Sequence, residues 1–161
     1  MSRDRTIEGD HTMDSTEAIA TLEIQQVMSR YERHFDKHEL EPLLDLFVEG
    51  CRAEYGGTVM EGKAELEEFI EGSFAGETGV EDSFHMVMNP WIEVDGDRAT
   101  GRWHFLGAYT LASVGAAWLT GFYEVSFRRE DGDWRIETLE FEEKWTTPYE
   151  DGWAETPRVE R

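Results

Sequence analysis

Two short stretches of the chain carry the side chains best suited to proton transfer. They are Tyr31-Glu32-Arg33-His34-Phe35-Asp36-Lys37 and Ser83-Phe84-His85-Met86-Val87-Met88-Asn89-Pro90. His85 stands in an otherwise apolar strand entrance, where an imidazole has to find a partner. Beside a carboxylate it becomes a base that works near neutral pH, because the acid fixes the tautomer and stabilises the imidazolium. A structural histidine bonded to backbone is the other reading. Asp36 directly follows the apolar stripe of a helix, and a carboxylate at a helix C-terminus opposes the macrodipole. It is therefore either a placed acid or one more solvated aspartate in a chain full of acids. Tyr31 lies on the apolar stripe itself, where a tyrosine reads as a core residue with a satisfied hydroxyl. His34 and His38 flank Asp36 and read as surface residues. His104, beside Trp103, faces either side of its strand depending on where bulges fall.

The elements that would position these groups follow from periodicity. Ser15 and Glu17 mark a helix start, and Ile24, Val27, Met28, Tyr31 and Phe35 recur at three- and four-residue spacing up to Asp36. A second helix is expected from Glu39 to about Glu49, with Pro42 in its first turn and Gly50 ending it. Strands Cys51–Tyr55 and Thr58–Glu61 turn at Gly56-Gly57, and a third helix runs from Lys63 to Glu71, closed by Gly72. After Phe84 the pattern is that of antiparallel sheet: Phe84–Met88, Trp91–Val94, Ala99–Leu111, Ala116–Arg129 and Trp134–Trp145. Thr146 to Arg161 reads as an irregular tail. Three helices and a curled sheet make an α+β fold, a cone whose wide end leaves a pocket. The expected organisation is a disordered tail over 1–14, one domain over 15–153, and a C-terminal tail over 154–161.

Composition removes several function classes. Thirty-six acids against fifteen Lys and Arg give a net charge of −21, a field that repels phosphate backbones and anionic headgroups. Neither nucleic acid nor a membrane surface is an expected partner. The acids are spread along the whole chain and lysine is scarce, a pattern of salt adaptation. Cys51 is the single cysteine, so neither an internal disulfide nor a Cys/His zinc ladder is available. With no apolar run near the ~18 residues of a membrane helix, the expected location is cytoplasmic.

The same residues carry a resemblance. Tyr31 with Asp36 five residues on, Leu43-Leu44-Asp45-Leu46-Phe47, Glu61-Gly62-Lys63, His85 with Asn89-Pro90, Asp95-Gly96-Asp97-Arg98-Ala99 and Asp131-Gly132-Asp133-Trp134-Arg135-Ile136 resemble the SnoaL-like branch of the NTF2-like superfamily. The likeness spans roughly Glu17 to Trp153. It is similar in particular to scytalone dehydratase, hexachlorocyclohexane dehydrochlorinase and, through Ala99-Thr100-Gly101-Arg102-Trp103 and the Tyr31/Asp36/His85 trio, bile-acid 7α-dehydratase. The resemblance implies a histidine base, an aspartate that holds it, and a tyrosine that assists the substrate's oxygen. It also implies an NTF2-like cone, dimeric or trimeric. One departure is an acid near Glu142 where some relatives place a basic residue, which weighs against an anionic substrate.

The expected function is that of a cofactor-independent, dehydratase-like lyase or isomerase acting on a hydrophobic cyclic molecule. Tyr31, Asp36 and His85 are the candidate catalytic residues, and Tyr55, Trp103, His104, Trp118 and Tyr123 the candidate substrate-binding ones. No metal or cofactor is expected, and the expected assembly is a homodimer or homotrimer. The alternative is a non-catalytic ligand-binding or oligomerising accessory protein, which would need no convergent trio.

Overall fold

The computed structural model describes residues 13–77 and 79–156. The expected N-terminal tail and the end of the C-terminal one thus fall largely outside the described residues. Helix α1 (Ser15–Asp36) buries Ala20, Ile24, Val27, Met28 and Tyr31 on one stripe. Its start is fixed by a capping box: Asp14 accepts from the Thr16 and Glu17 backbone N–H groups, and Glu17 accepts from that of Asp14.

Helix α2 is only Leu40–Leu44, shorter than its periodicity suggests. From Phe47 the chain is strand β1 (Phe47–Tyr55), because Phe47 pairs with Ile136 in parallel register and Leu46 C=O accepts from the Ile136 N–H at 2.7 Å. Long-range pairing, with Leu46, Phe47 and Val48 all buried, overrides local helix preference. Strand β2 (Thr58–Glu61) follows as expected. Helix α3 (Lys63–Phe74) continues through Gly72, which brings Phe74 against Phe35 at 5.4 Å between ring centroids.

The two strands expected around His85 are one, β3 (Val80–Asp95), interrupted by a register shift between Met88 and Trp91. Asn89 there has φ 55, a conformation asparagine tolerates better than most residues. The one extra residue on β3 switches the inward face from His85 and Val87 to Ile92 and Val94. Strands β4 (Arg98–Leu111), β5 (Gly115–Glu130) and β6 (Asp133–Pro148) complete a six-stranded sheet of order β2-β1-β6-β5-β4-β3. All neighbours are antiparallel except β1 and β6. The irregular tail expected from Thr146 starts later, since Thr146 and Thr147 are buried and paired with Leu119 and Trp118.

Alternation along β4 and β5 sends Trp103, Phe105, Leu119, Tyr123, Val125 and Phe127 inward onto α1. Fully burying a side chain such as Phe105 or Phe127 stabilises the fold by about 1.5–3 kcal/mol. Among the described residues no helix is long and apolar enough to cross a membrane.

Candidate active site

The last residue of α1 and the inward face of β3 meet at one point. The Asp36 carboxylate accepts from the backbone N–H of His85, at 3.2 Å to Oδ1 and 3.1 Å to Oδ2, and Oδ1 lies 2.6 Å from Nδ1 of the same histidine. A carboxylate accepts only, so Nδ1 carries the proton and Nε2 presents a lone pair in the neutral ring. The unfavourable placement of Asp36 against the helix dipole is offset by these donors. The pair is sheltered: the side chain of His85 is 5% exposed and that of Asp36 15%.

Across the strand pair, His85 sits opposite Gly107 of β4. A Cβ at Gly107 would overlap the rings of Tyr109 and Phe105, the two inward neighbours along β4. Glycine at this position lets both rings close around the imidazole, with Phe105 at 5.3 Å and Tyr109 at 5.5 Å between centroids. Phe35 covers another side at 4.9 Å. The Tyr109 hydroxyl lies 3.0 Å from Nε2 and donates to it.

His85 and Tyr109 border a cavity of about 300 Å³ whose walls include Phe35, Phe69, Phe74, Leu119 and Phe141. That is the small end of the range for ligand pockets, ~300–1,000 Å³. Tyr31, Tyr55 and Tyr123 line it as well. The Tyr31 and Tyr55 hydroxyls are 2.6 Å apart, and the rings of Tyr31 and Tyr123 meet edge to face at 6.1 Å. Burial pushes all three phenols above their ordinary range, so they remain neutral donors. The acids Glu81, Asp82 and Glu143 also border the cavity, and Glu143 accepts from the Thr146 hydroxyl at 2.8 Å.

Of the expected residues, His85, Tyr31, Tyr55 and Tyr123 border this cavity, and Asp36 is joined to it through His85. Three expected substrate contacts do not. Trp103 is inward but lies in the core against Phe127, 6.0 Å between centroids. His104 and Trp118 point to the outer face, because each alternates with inward neighbours: His104 lies within hydrogen-bond reach of Asn89, and Trp118 packs near Tyr149. His38, read as a surface residue, stacks on Phe74 and reaches the cavity. Tyr109 was missed as a site residue: its four-residue spacing from Phe105, with Gly107 midway, puts both rings on one strand face, but only the register with β3 brings them to His85. Glu32 was also missed: it is buried one turn before Asp36, and neither carboxylate oxygen has a hydrogen-bond partner. Among the described residues no three His, Cys, Asp or Glu side chains are grouped to hold a metal ion.

A curved sheet wrapped on helices, with an acid and a histidine meeting at its cavity, defines a class of small α+β cone proteins. The chain belongs to the SnoaL-like domain family, which matches residues 16–140, and its fold is the NTF2-like cone. Among solved structures it is similar to a protein from Novosphingobium aromaticivorans provisionally named scytalone dehydratase, at 24% identity over 91% of this chain and 97% of that one, with a TM-score of 0.75. It is also similar to a hexachlorocyclohexane dehydrochlorinase from Novosphingobium barchaimii, at 19% identity over 81% and 90%, TM-score 0.72. A Mycobacterium tuberculosis protein of unknown function is 27% identical over 84% of this chain and 78% of that one, TM-score 0.72. No curated protein matches the sequence.

Proposed function

We propose that the protein is a cofactor-independent lyase or isomerase of dehydratase type, in which the Asp36–His85 pair is the general base for a carbon-bound proton. The observation that carries this reading is the 2.6 Å Asp36–Nδ1 contact at the edge of a largely aromatic cavity. Asp36 holds the tautomer in which Nε2 is the acceptor and stabilises the imidazolium that forms. Tyr31 and Tyr55, neutral and already paired, supply donors for the oxygen on which charge develops. A placed base contributes ~10²–10⁴-fold and a placed donor ~10²–10³-fold, enough for an already acidic C–H.

The ligand is a compact hydrophobic ring compound without negative charge. The cavity's apolar walls favour ring surfaces, and Glu81, Asp82 and Glu143 disfavour anions. Outside the cavity, Phe84 and Trp91 are 59% and 67% exposed on the outer face of β3, which supports a homodimer or homotrimer covering that face. The proposed location is cytoplasmic.

A screen of steroid, polyketide and halogenated ring compounds, followed by a ligand-bound structure, identifies the atom facing His85 and supplies a turnover assay. His85→Ala should then lose at least ~10²-fold in rate while still binding the ligand. Undiminished turnover in a folded His85→Ala variant would move the assignment to the second reading, a non-catalytic binding or accessory protein, for which the exposed outer-face aromatics are the supporting observation. Sedimentation showing only monomer would refute the assembly.

A further inference from the structure

We propose that Tyr109 completes a proton relay, Asp36–His85–Tyr109, and that its phenol oxygen is the atom that takes the proton from the substrate. The proposal rests on the base reading of His85 and concerns the route by which the proton arrives there.

Only one nitrogen of His85 is open to a proton, because Nδ1 is committed to Asp36. That nitrogen, Nε2, has a single lone pair, and the Tyr109 hydroxyl already occupies it at 3.0 Å. A substrate hydrogen would have to displace the tyrosine to be taken directly. The imidazole also has little surface to offer: it is 5% exposed, with the rings of Phe35 and Phe105 packed against it at 4.9 and 5.3 Å. Tyr109 is half-buried and borders the same cavity as the imidazole. Gly107, opposite His85 in the strand pair, is what lets the Tyr109 ring close onto the histidine. A ligand carbon in the cavity can therefore approach the phenol oxygen without displacing the contact that occupies Nε2.

The step balances without any other reactant. The substrate C–H bond breaks and its proton goes to the Tyr109 oxygen, while the Tyr109 O–H bond breaks and that proton goes to Nε2. The C–H electron pair stays with the substrate, as an enolate or as the new π bond when a leaving group departs. Tyr109 ends neutral, and His85 ends as an imidazolium paired with Asp36. A phenol is a weaker acid than an imidazolium, so the two transfers are concerted rather than stepwise through a free phenolate. An exchangeable proton is then in flight during the rate-determining step.

The test uses the full chain and 5-nitrobenzisoxazole, a planar probe whose ring C–H deprotonation breaks its N–O bond and gives a coloured cyanophenolate. Wild type, His85→Ala, Tyr109→Phe and the double variant are compared after circular dichroism has shown all four folded. The relay predicts that Tyr109→Phe and His85→Ala each lower kcat/KM by ~10²-fold or more, and that the double variant loses no more than either. It also predicts that wild type is slower in D₂O than in H₂O with the same protiated probe, a readout that needs no variant and that a merely structural tyrosine would not move. Full activity in Tyr109→Phe alongside inactive His85→Ala, or equal rates in D₂O and H₂O, overturns the relay and leaves His85 as a direct base. Wild type inert toward the probe, or His85→Ala as active as wild type, overturns the base reading and the relay with it.

Discussion

Helix α1 carries two shielded carboxylates one turn apart, and they have opposite surroundings. Asp36 at the helix end receives three N–H contacts from His85. Glu32 is 5% exposed, and neither of its oxygens has a hydrogen-bond partner. Burial pushes the Glu32 carboxyl well above the usual carboxylate range, with the nearby Asp36 charge adding to the push. Residues four apart share a helix face, so the difference arises in what β3 offers rather than in the helix. A buried acid supplied with donors can stay ionised and orient a base, whereas one without them is held neutral.

The largest test of this contrast is Asp36→Asn. Asparagine keeps one acceptor but replaces the other with an NH₂ group, which must face either the backbone N–H of His85 or its Nδ1–H. The ring then loses its tautomer control and the countercharge for its imidazolium. Elimination of 5-nitrobenzisoxazole should fall by about 10²–10⁴-fold with the fold retained. Glu32→Gln, one turn away, should change the same rate by no more than a few-fold. Comparable losses in both variants would erase the distinction.

A smaller effect, on stability, is expected at Glu32. The unfolded chain ionises this group near its ordinary value of ~4.3, while the folded chain keeps it protonated to higher pH. Between those two values the unfolded state binds one proton fewer, so stability falls by about 1.4 kcal/mol per pH unit as pH rises. Glu32→Gln should remove that slope. Glu32→Leu should in addition relieve about 1–3 kcal/mol of unsatisfied polar burial. Urea unfolding of wild type and both variants from pH 5 to 8 checks this, and a Glu32→Leu variant less stable than wild type at pH 8 would show that the carboxylate has a partner in solution.

These two carboxylates also mark how far the sequence could be read. Asp36 and His85 were legible because each stands out locally, as an acid ending an apolar stripe and an imidazole within an apolar run. Glu32 was hidden by being one acid among thirty-six. Strand positions suffered more, since alternation gives two faces without naming them: His104 and Trp118 went outward, and the bulge at Asn89-Pro90 reversed the face midway along β3. Tyr109 became visible only once register placed Gly107 opposite His85. The second helix was over-extended because Leu46, Phe47 and Val48 continue an apolar run, and their commitment to strand is decided by β6, ninety residues away in sequence.

The smallest effect per residue belongs to the acids at the surface, which sharpen the contrast from outside. With 36 acids against 15 bases, net repulsion outweighs exposed pairs such as Arg102–Glu124, 2.9 Å apart and mostly solvated. Such pairs are individually worth ~0–1 kcal/mol. Added KCl should therefore raise the melting temperature up to about molar concentration, where the Debye length is ~3 Å. Neutralising one exposed acid, as in Glu93→Gln on β3, should stabilise by less than ~0.5 kcal/mol at low salt. That gain should vanish in molar KCl, because mobile ions already screen an exposed charge. The gain from Glu32→Leu should persist in the same salt, since relief of an unsatisfied buried group does not depend on ions reaching it. Thermal unfolding of both variants across a KCl series decides the point: a melting temperature for wild type that is flat or falling with salt would remove self-repulsion as a destabilising force, and a Glu32 gain that disappears with salt would place that carboxylate in contact with solvent.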